Sequence, residues 1–134
     1  MIIKLRIASE QAKQVIDITN RINQLLDDTF ADVDSGICML FVCHTTAALT
    51  TTDLDPEIPM DMFDAFDAIV PKLEYRHPHA PPHVPDHILS SLIGPSLMVP
   101  VQDHALALGL WQRVVLIEFD GPRERDLLVS FLPA

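Results

Sequence analysis

The chain has 134 residues, with 9 lysines and arginines against 19 aspartates and glutamates, so its net charge is −10 with the histidines neutral. That balance excludes an affinity built on neutralising nucleic-acid phosphates and repels an anionic membrane surface, while a hydrophobic share of 49% excludes a disordered-tail composition. One domain spanning residues 1–134 is expected, since a chain this long buries about two-thirds of its unfolded surface without disulfides or a metal.

No apolar run approaches the roughly 18–20 residues of a spanning helix, and Met1 leads into Ile-Ile-Lys rather than a signal sequence, so a soluble cytoplasmic protein is expected. A mean hydropathy of +0.24 in so charged a chain implies a dense core or a surface buried against other subunits. Cys38 and Cys43 fall in one apolar stretch. Five residues apart in a strand they would lie about 16 Å from each other, too far for a bridge, and they read as two small buried hydrophobes.

In chain order, Ile2–Ile7 reads as a strand, and Val15–Ile18 as either a hairpin return or the start of a helix. Thr19 is a candidate N-cap for a helix carrying Ile22, Leu25, Leu26 and Phe30 on one face. Asp32–Gly36 is a turn, and Ile37–Cys43, apolar throughout, reads as a strand covered on both faces. Ala47–Thr52 is a further strand. Asp55-Pro56-Glu57 then signals an N-cap and first turn for an amphipathic helix through Ile69. Between Pro71 and Pro100 lie seven of the eleven prolines and four of the six histidines, which reads as a long stiffened loop with a short helix around Ile88–Ile93. Ser96–Val101, Leu106–Glu118 and Leu127–Phe131 complete the strands. The order predicts an α+β domain, mainly antiparallel, with helices packed on the sheet.

The densest chemistry lies between His77 and His87, where four imidazoles fall within eleven residues. Imidazole is the commonest ligand for zinc, nickel or iron, and flanking prolines lower the entropy of fixing a loop around an ion. The alternative is a solvated His/Pro loop. Asp86 stands ready as a ligand or as an orienter of a ring. His44 closes the apolar strand before Thr45 and Thr46, either as a packed residue or as a ligand. The two threonines either donate to an anion or pack in a strand. Arg123 and Arg125 are suited to a phosphate or to pairing with the acidic surface.

His44-Thr45-Thr46-Ala47-Ala48-Leu49-Thr50 resembles the HTTAALT block of the YjbQ family, also labelled secondary thiamine-phosphate synthase. Asp55-Pro56, Tyr75-Arg76-His77, His87-Ile88-Leu89, Gly94-Pro95-Ser96-Leu97, Leu106 to Gln112 and Glu118 to Arg123 follow in the family's order. The resemblance implies a homotrimer with a divalent metal, zinc foremost, on His44, His77 and His87, near subunit contacts. It implies a small phosphorylated ligand or phosphate contacted by Thr45, Thr46, Asp53, Gln112, Glu118, Arg123 and Arg125, with Asp61 as base or orienter. The implied chemistry is a weak transfer joining a hydroxymethylpyrimidine diphosphate to a thiazole phosphate; the competing reading is a metal- or anion-binding module without catalysis. His79 and His83 match no family histidine. The chain departs from the family where Thr52-Asp53-Leu54 replaces an Asn-Glu segment and where Asp86 replaces a common Ala.

Overall fold

The computed structural model describes residues 1–134. A five-stranded sheet runs in the order β1 (Ile2–Ala8), β8 (Glu124–Pro133), β3 (Gly36–Val42), β5 (Ser96–Gln102), β6 (Ala105–Leu106). A three-stranded sheet holds β2 (Gln14–Asp17), β7 (Arg113–Glu118) and β4 (Ala47–Thr52). Every strand pairing is antiparallel. With α1 (Thr19–Thr29), α2 (Ile58–Ile69) and α3 (Val84–Ile93) the fold is α+β, as the order of elements predicts.

Alternation along the strands sorts the residues into layers. Leu40 and Val42 of β3, Val99 of β5, and Leu127 and Val129 of β8 form one core with Leu49 of β4 and Val114 and Leu116 of β7. Ile22 and Leu26 of α1, four residues apart on one helix face, join the same cluster. The odd residues of β7, Val115 and Ile117, point the other way, into a second cluster with Phe119, Leu89 of α3 and Phe63 and Phe66 of α2. The rings of Phe63 and Phe66 stand 6.1 and 5.9 Å from that of Phe119. The three-stranded sheet is therefore covered on both faces.

The five-stranded sheet is not. β3 alternates buried and exposed, and Ile37, Met39 and Phe41 remain 38–44% exposed. Its apolar run is a strand with one face in the core and one apolar face that nothing in the chain covers. Met98 of β5 lies opposite Met39, and Leu132 of β8 opposite Ile37, which extends the patch across three strands.

Four other expectations are corrected. Val15–Ile16 belongs to β2, which pairs with β7 rather than returning along β1. Leu106–Glu118 is broken by a turn in which the Gly109 N–H donates to Gln112 Oε1 and the Gln112 N–H to the Gly109 carbonyl, leaving Trp111 68% exposed. The second helix begins at Ile58 behind Glu57, whose φ of 77° sets the chain's entry. Cys43 lies just beyond β3 and is exposed, so only Cys38 is a buried hydrophobe, its thiol pushed up to about 11 by burial. No helix is long and apolar enough to cross a membrane.

Candidate functional site

β3 ends at Val42, opposite Leu127 of β8. The ladder nevertheless goes on: the Cys43 N–H donates to the Asp126 carbonyl at 3.0 Å, and the Asp126 N–H donates to Nε2 of His44 at 2.9 Å. The imidazole thus takes the place of a main-chain acceptor. Burial holds the His44 pKa below its ordinary value, and the Arg125 charge lowers it further, against the opposing pull of Asp126 and Glu118. A ring that accepts a hydrogen bond is neutral, so both observations agree.

Beside His44 the β7–β8 turn buries an ion pair. Glu118 is 0% and Arg125 2% exposed. Arg125 Nε donates to Glu118 Oε1 at 2.9 Å, and Nη2 donates to Glu118, to Thr46 Oγ1 at 2.8 Å and to the Thr46 carbonyl at 3.1 Å. Ser9 Oγ donates to Glu118 at 2.6 Å, and the Asp120 N–H donates at 3.2 Å. Burial alone would raise the Glu118 pKa, but the donors from Arg125, Ser9 and Asp120 outweigh it, and the carboxyl sits below its usual range. Arg125 Nη1 has no such partner. Because no sealed side-chain polar atom in the chain lacks a hydrogen bond, this nitrogen opens on the space Arg125 lines.

That space is a cavity of about 760 Å³ bordered by His44, Thr45, His87, Asp120, Arg123 and Arg125. Gly121, in the β7–β8 turn, has no room for a side chain: a Cβ would stand 2.2 Å from the Gln11 carbonyl and 2.8 Å from Ser9 Oγ. Among the residues lining the cavity the fixed charges cancel, Arg123 and Arg125 against Asp120 and Glu124. Arg125 pairs with Glu118 behind the wall, Arg123 Nη2 with Asp120 at 3.0 Å, and Arg6 with both Glu124 at 3.4 Å and Asp126 at 3.2 Å.

Outside the strands and their turns, α3 contributes one lining residue and the 71–86 segment none. His87 lines the cavity, and its ring centroid lies 6.2 Å from that of His77, which is 6.0 Å from that of His79. α3 is held by Asp86, 5% exposed, whose Oδ1 accepts from Lys13 Nζ at 2.5 Å while Lys13 also donates to the Phe119 carbonyl. Asp86 Oδ2 lies 3.0 Å from His83 Nδ1, which is 3.4 Å from Asp120 Oδ1.

These contacts test the metal that the resemblance implies. Two imidazoles on one tetrahedral zinc have centroids about 5 Å apart, so His77 and His87 come near to fitting as a pair. His44 does not fit as their third member, because the nitrogen that carries its lone pair already accepts from Asp126. The three potential ligand atoms that do converge, within 4.8 Å, belong to His83, Asp86 and Asp120, and Lys13 and Arg123 pair with the outer oxygens of the two carboxylates.

Of the remaining predicted residues, Thr45 and Thr46 line the cavity, Thr46 also accepting from Arg125, and Glu118 lies behind it as the support of Arg125. Gln112 lies elsewhere, its Nε2 donating to Thr51 Oγ1 at 3.0 Å, and Asp53 accepts from the Asp55 N–H at 3.0 Å in the turn before α2. Asp61 is exposed in the first turn of α2, away from the cavity. Sequence reasoning missed Ser9 and Lys13, which carry no motif. It also set aside His83, although His83, Asp86 and His87 have the i, i+3, i+4 spacing of one helix face.

The profile of the family described as UPF0047 protein YjbQ-like matches residues 3–134. The YugU protein of Bacillus subtilis is 32% identical over 98% of this chain and 99% of its own length. A UPF0047 protein of Archaeoglobus fulgidus is 30% identical over 96% and 99%. Among solved structures, a YjbQ/UPF0047 protein of Clostridium acetobutylicum superposes with a TM-score of 0.86 at 33% identity, covering 97% of this chain and 99% of that one. A YbjQ-like protein of unknown function from Sulfolobus solfataricus reaches 0.90 at 25% identity, covering 100% and 97%.

Proposed function

The chain belongs to the YjbQ-like UPF0047 family, and from that premise we propose that its cavity binds a small phosphorylated ligand together with a divalent cation. The observation that carries this reading is Arg125: a guanidinium 2% exposed, rigidly held on two sides, whose Nη1 opens on the cavity without a partner. A charge-assisted bond from such a donor is strong because its geometry is fixed in advance. The cancellation of the fixed charges supports the cation. A phosphate dianion would bring uncompensated charge into a neutral site, and a divalent ion restores the balance.

His77 and His87 would hold that ion, zinc foremost, which supplies Lewis-acid polarisation of a phosphate oxygen when bound. Arg125 and Thr45 bind and orient the oxyanion; Glu118 and Thr46 keep Arg125 in place. The family resemblance extends the reading to a weak transfer that forms thiamine phosphate. A binding module without catalysis is favoured by one observation: Asp61 lies outside the cavity and Asp53 is engaged in its own turn. Calorimetry with inorganic phosphate and pyrophosphate, with and without zinc, tests the binding. Micromolar affinity that depends on Arg125 is expected, and no heat in either condition defeats the reading. Incubation with the two halves of thiamine phosphate decides between transfer and binding alone.

We also propose that the bare apolar face around Met39, Phe41 and Met98 is covered by further copies of the chain, as the trimer of the resemblance requires. Light scattering on Met39→Asp is expected to give monomer where the wild type gives trimer.

A further inference from the structure

We propose that His44 serves as a fixed hydrogen-bond donor to the oxyanion of the ligand and is not a metal ligand. The argument starts in the strand register. At the end of β3 the Asp126 N–H finds no further carbonyl and meets His44 Nε2 at 2.9 Å. A nitrogen that accepts from an N–H carries the lone pair, so the single proton of the neutral ring sits on Nδ1. A metal needs a lone pair at the nitrogen it binds, and the only one available in this ring is already in use. Turning the ring over would place a C–H against the Asp126 N–H and leave that donor unpaired, at a cost comparable to a lost hydrogen bond.

The free end of the ring then has a defined chemistry. Nδ1–H has no partner in the chain, and since no sealed polar side-chain atom lacks one, it is open to solvent, on a ring that lines both the large cavity and a smaller neighbouring one of about 150 Å³. In the proposed arrangement it faces the larger of the two, which Arg125, 2% exposed, also lines with an Nη1 that has no partner. One charged and one neutral donor, both held from behind by the protein, and the nearby Thr45 hydroxyl make a donor-rich wall. The carboxylates that share the cavity, Asp120 and Glu124, are themselves paired with Arg123 and Arg6. The chemical class that satisfies this wall is a tetrahedral oxyanion with several unprotonated oxygens: a phosphate monoester or the terminal phosphate of a diphosphate. This assignment rests on the reading of the cavity as a phosphate site, and it gives His44 a role that the three-histidine metal set does not.

The test uses the full-length protein with zinc and inorganic phosphate as probes. Two-bond ¹H–¹⁵N correlation spectra of the wild type are expected to show His44 in the Nδ1–H tautomer, unchanged on zinc addition while His77 and His87 shift. Zinc content, measured by elemental analysis, is expected to survive in His44→Ala and to be lost in His87→Ala. Phosphate affinity is expected to fall about tenfold or more in His44→Ala and His44→Gln, as for loss of a hydrogen bond to a charged group. His44→Asn, whose amide places an N–H near the Nδ1 position, is expected to recover part of that loss. His44→Gln retains an acceptor for the Asp126 N–H and so controls for folding, checked by its melting curve. Zinc lost in His44→Ala, or a His44 nitrogen shifted by zinc, overturns the assignment. Wild type that binds no phosphate overturns the oxyanion and the cavity reading together, and the tautomer and zinc measurements then still decide whether His44 is a metal ligand.

Discussion

The two sides of the cavity rest on different physics. On the strand side, β3, β7 and β8 bring Thr46, Glu118 and Arg125 into one buried network in which Glu118 accepts from Arg125, Ser9 and the Asp120 N–H. On the helix side, His77, His79 and His83 are exposed, and α3 is tied by Asp86 to a lysine that is itself 43% exposed. The strand side presents donors whose direction is set by covalent ladder geometry. The helix side presents imidazoles at the N-terminal end of a helix anchored through Leu89, where the Lys13–Asp86 pair and a proline-rich segment hold the first turn. On the reading proposed above, recognition of a rigid anion falls to the first and adjustment around an ion to the second.

The largest effect should come from breaking the strand side. Arg125→Met keeps volume but leaves the Glu118 carboxylate buried without its cation, which costs about 3–5 kcal/mol. Chemical denaturation of the variant against wild type measures this, and phosphate binding should vanish with it. Restoring the balance by Arg125→Met with Glu118→Gln should recover much of the stability but none of the binding. If the double variant binds phosphate as well as wild type, the anion is held by the helix side instead.

A pH series sharpens the same contrast. The Glu118 pKa is below its ordinary value of 4.5 in the folded chain. The unfolded chain therefore binds a proton first as pH falls, so the stabilisation is fully present above about 4.5 and is lost as pH drops through the lower folded value. Acid unfolding of wild type should steepen in that window, and Glu118→Gln should flatten it. An unchanged slope in the variant would assign the acid sensitivity to another carboxylate.

The smallest effect is expected on the helix side. Lys13→Met leaves Asp86 facing only His83, but the ammonium is half in water, which screens the pair, so a loss of about 1 kcal/mol is expected. Amide exchange should rise along the first turns of α3 and stay unchanged in β7. Protection lost equally in both would make the two sides one cooperative unit.

Particular residues show how far the sequence alone carries. The alternation in β1 and the helical spacing of Ile22, Leu26 and Phe30 were readable because local periodicity and burial agree there. Ile37–Cys43 was misread because its outward residues are apolar for a reason outside the chain's own contacts: Met39 and Phe41 are exposed in it. In the site, Arg125 is legible as a candidate for an anion or for pairing with an acid, and the structure shows the pairing with Glu118. The division between its paired and its open nitrogens is not legible, since Glu118, Thr46 and Ser9 meet it only through tertiary pairing. His83 stayed hidden because the helix register that aligns it with His87 starts at Val84, one residue after a stretch of prolines.

The Asp126 contact with His44 also bears on how the site can drift under mutation. Its donor is a main-chain amide, so no side-chain exchange at position 126 removes it, apart from proline. A side-chain partner for an imidazole can be lost in one nucleotide change; this one is inherited with the strand. The ring orientation is thereby shielded from side-chain substitution at the position that holds it.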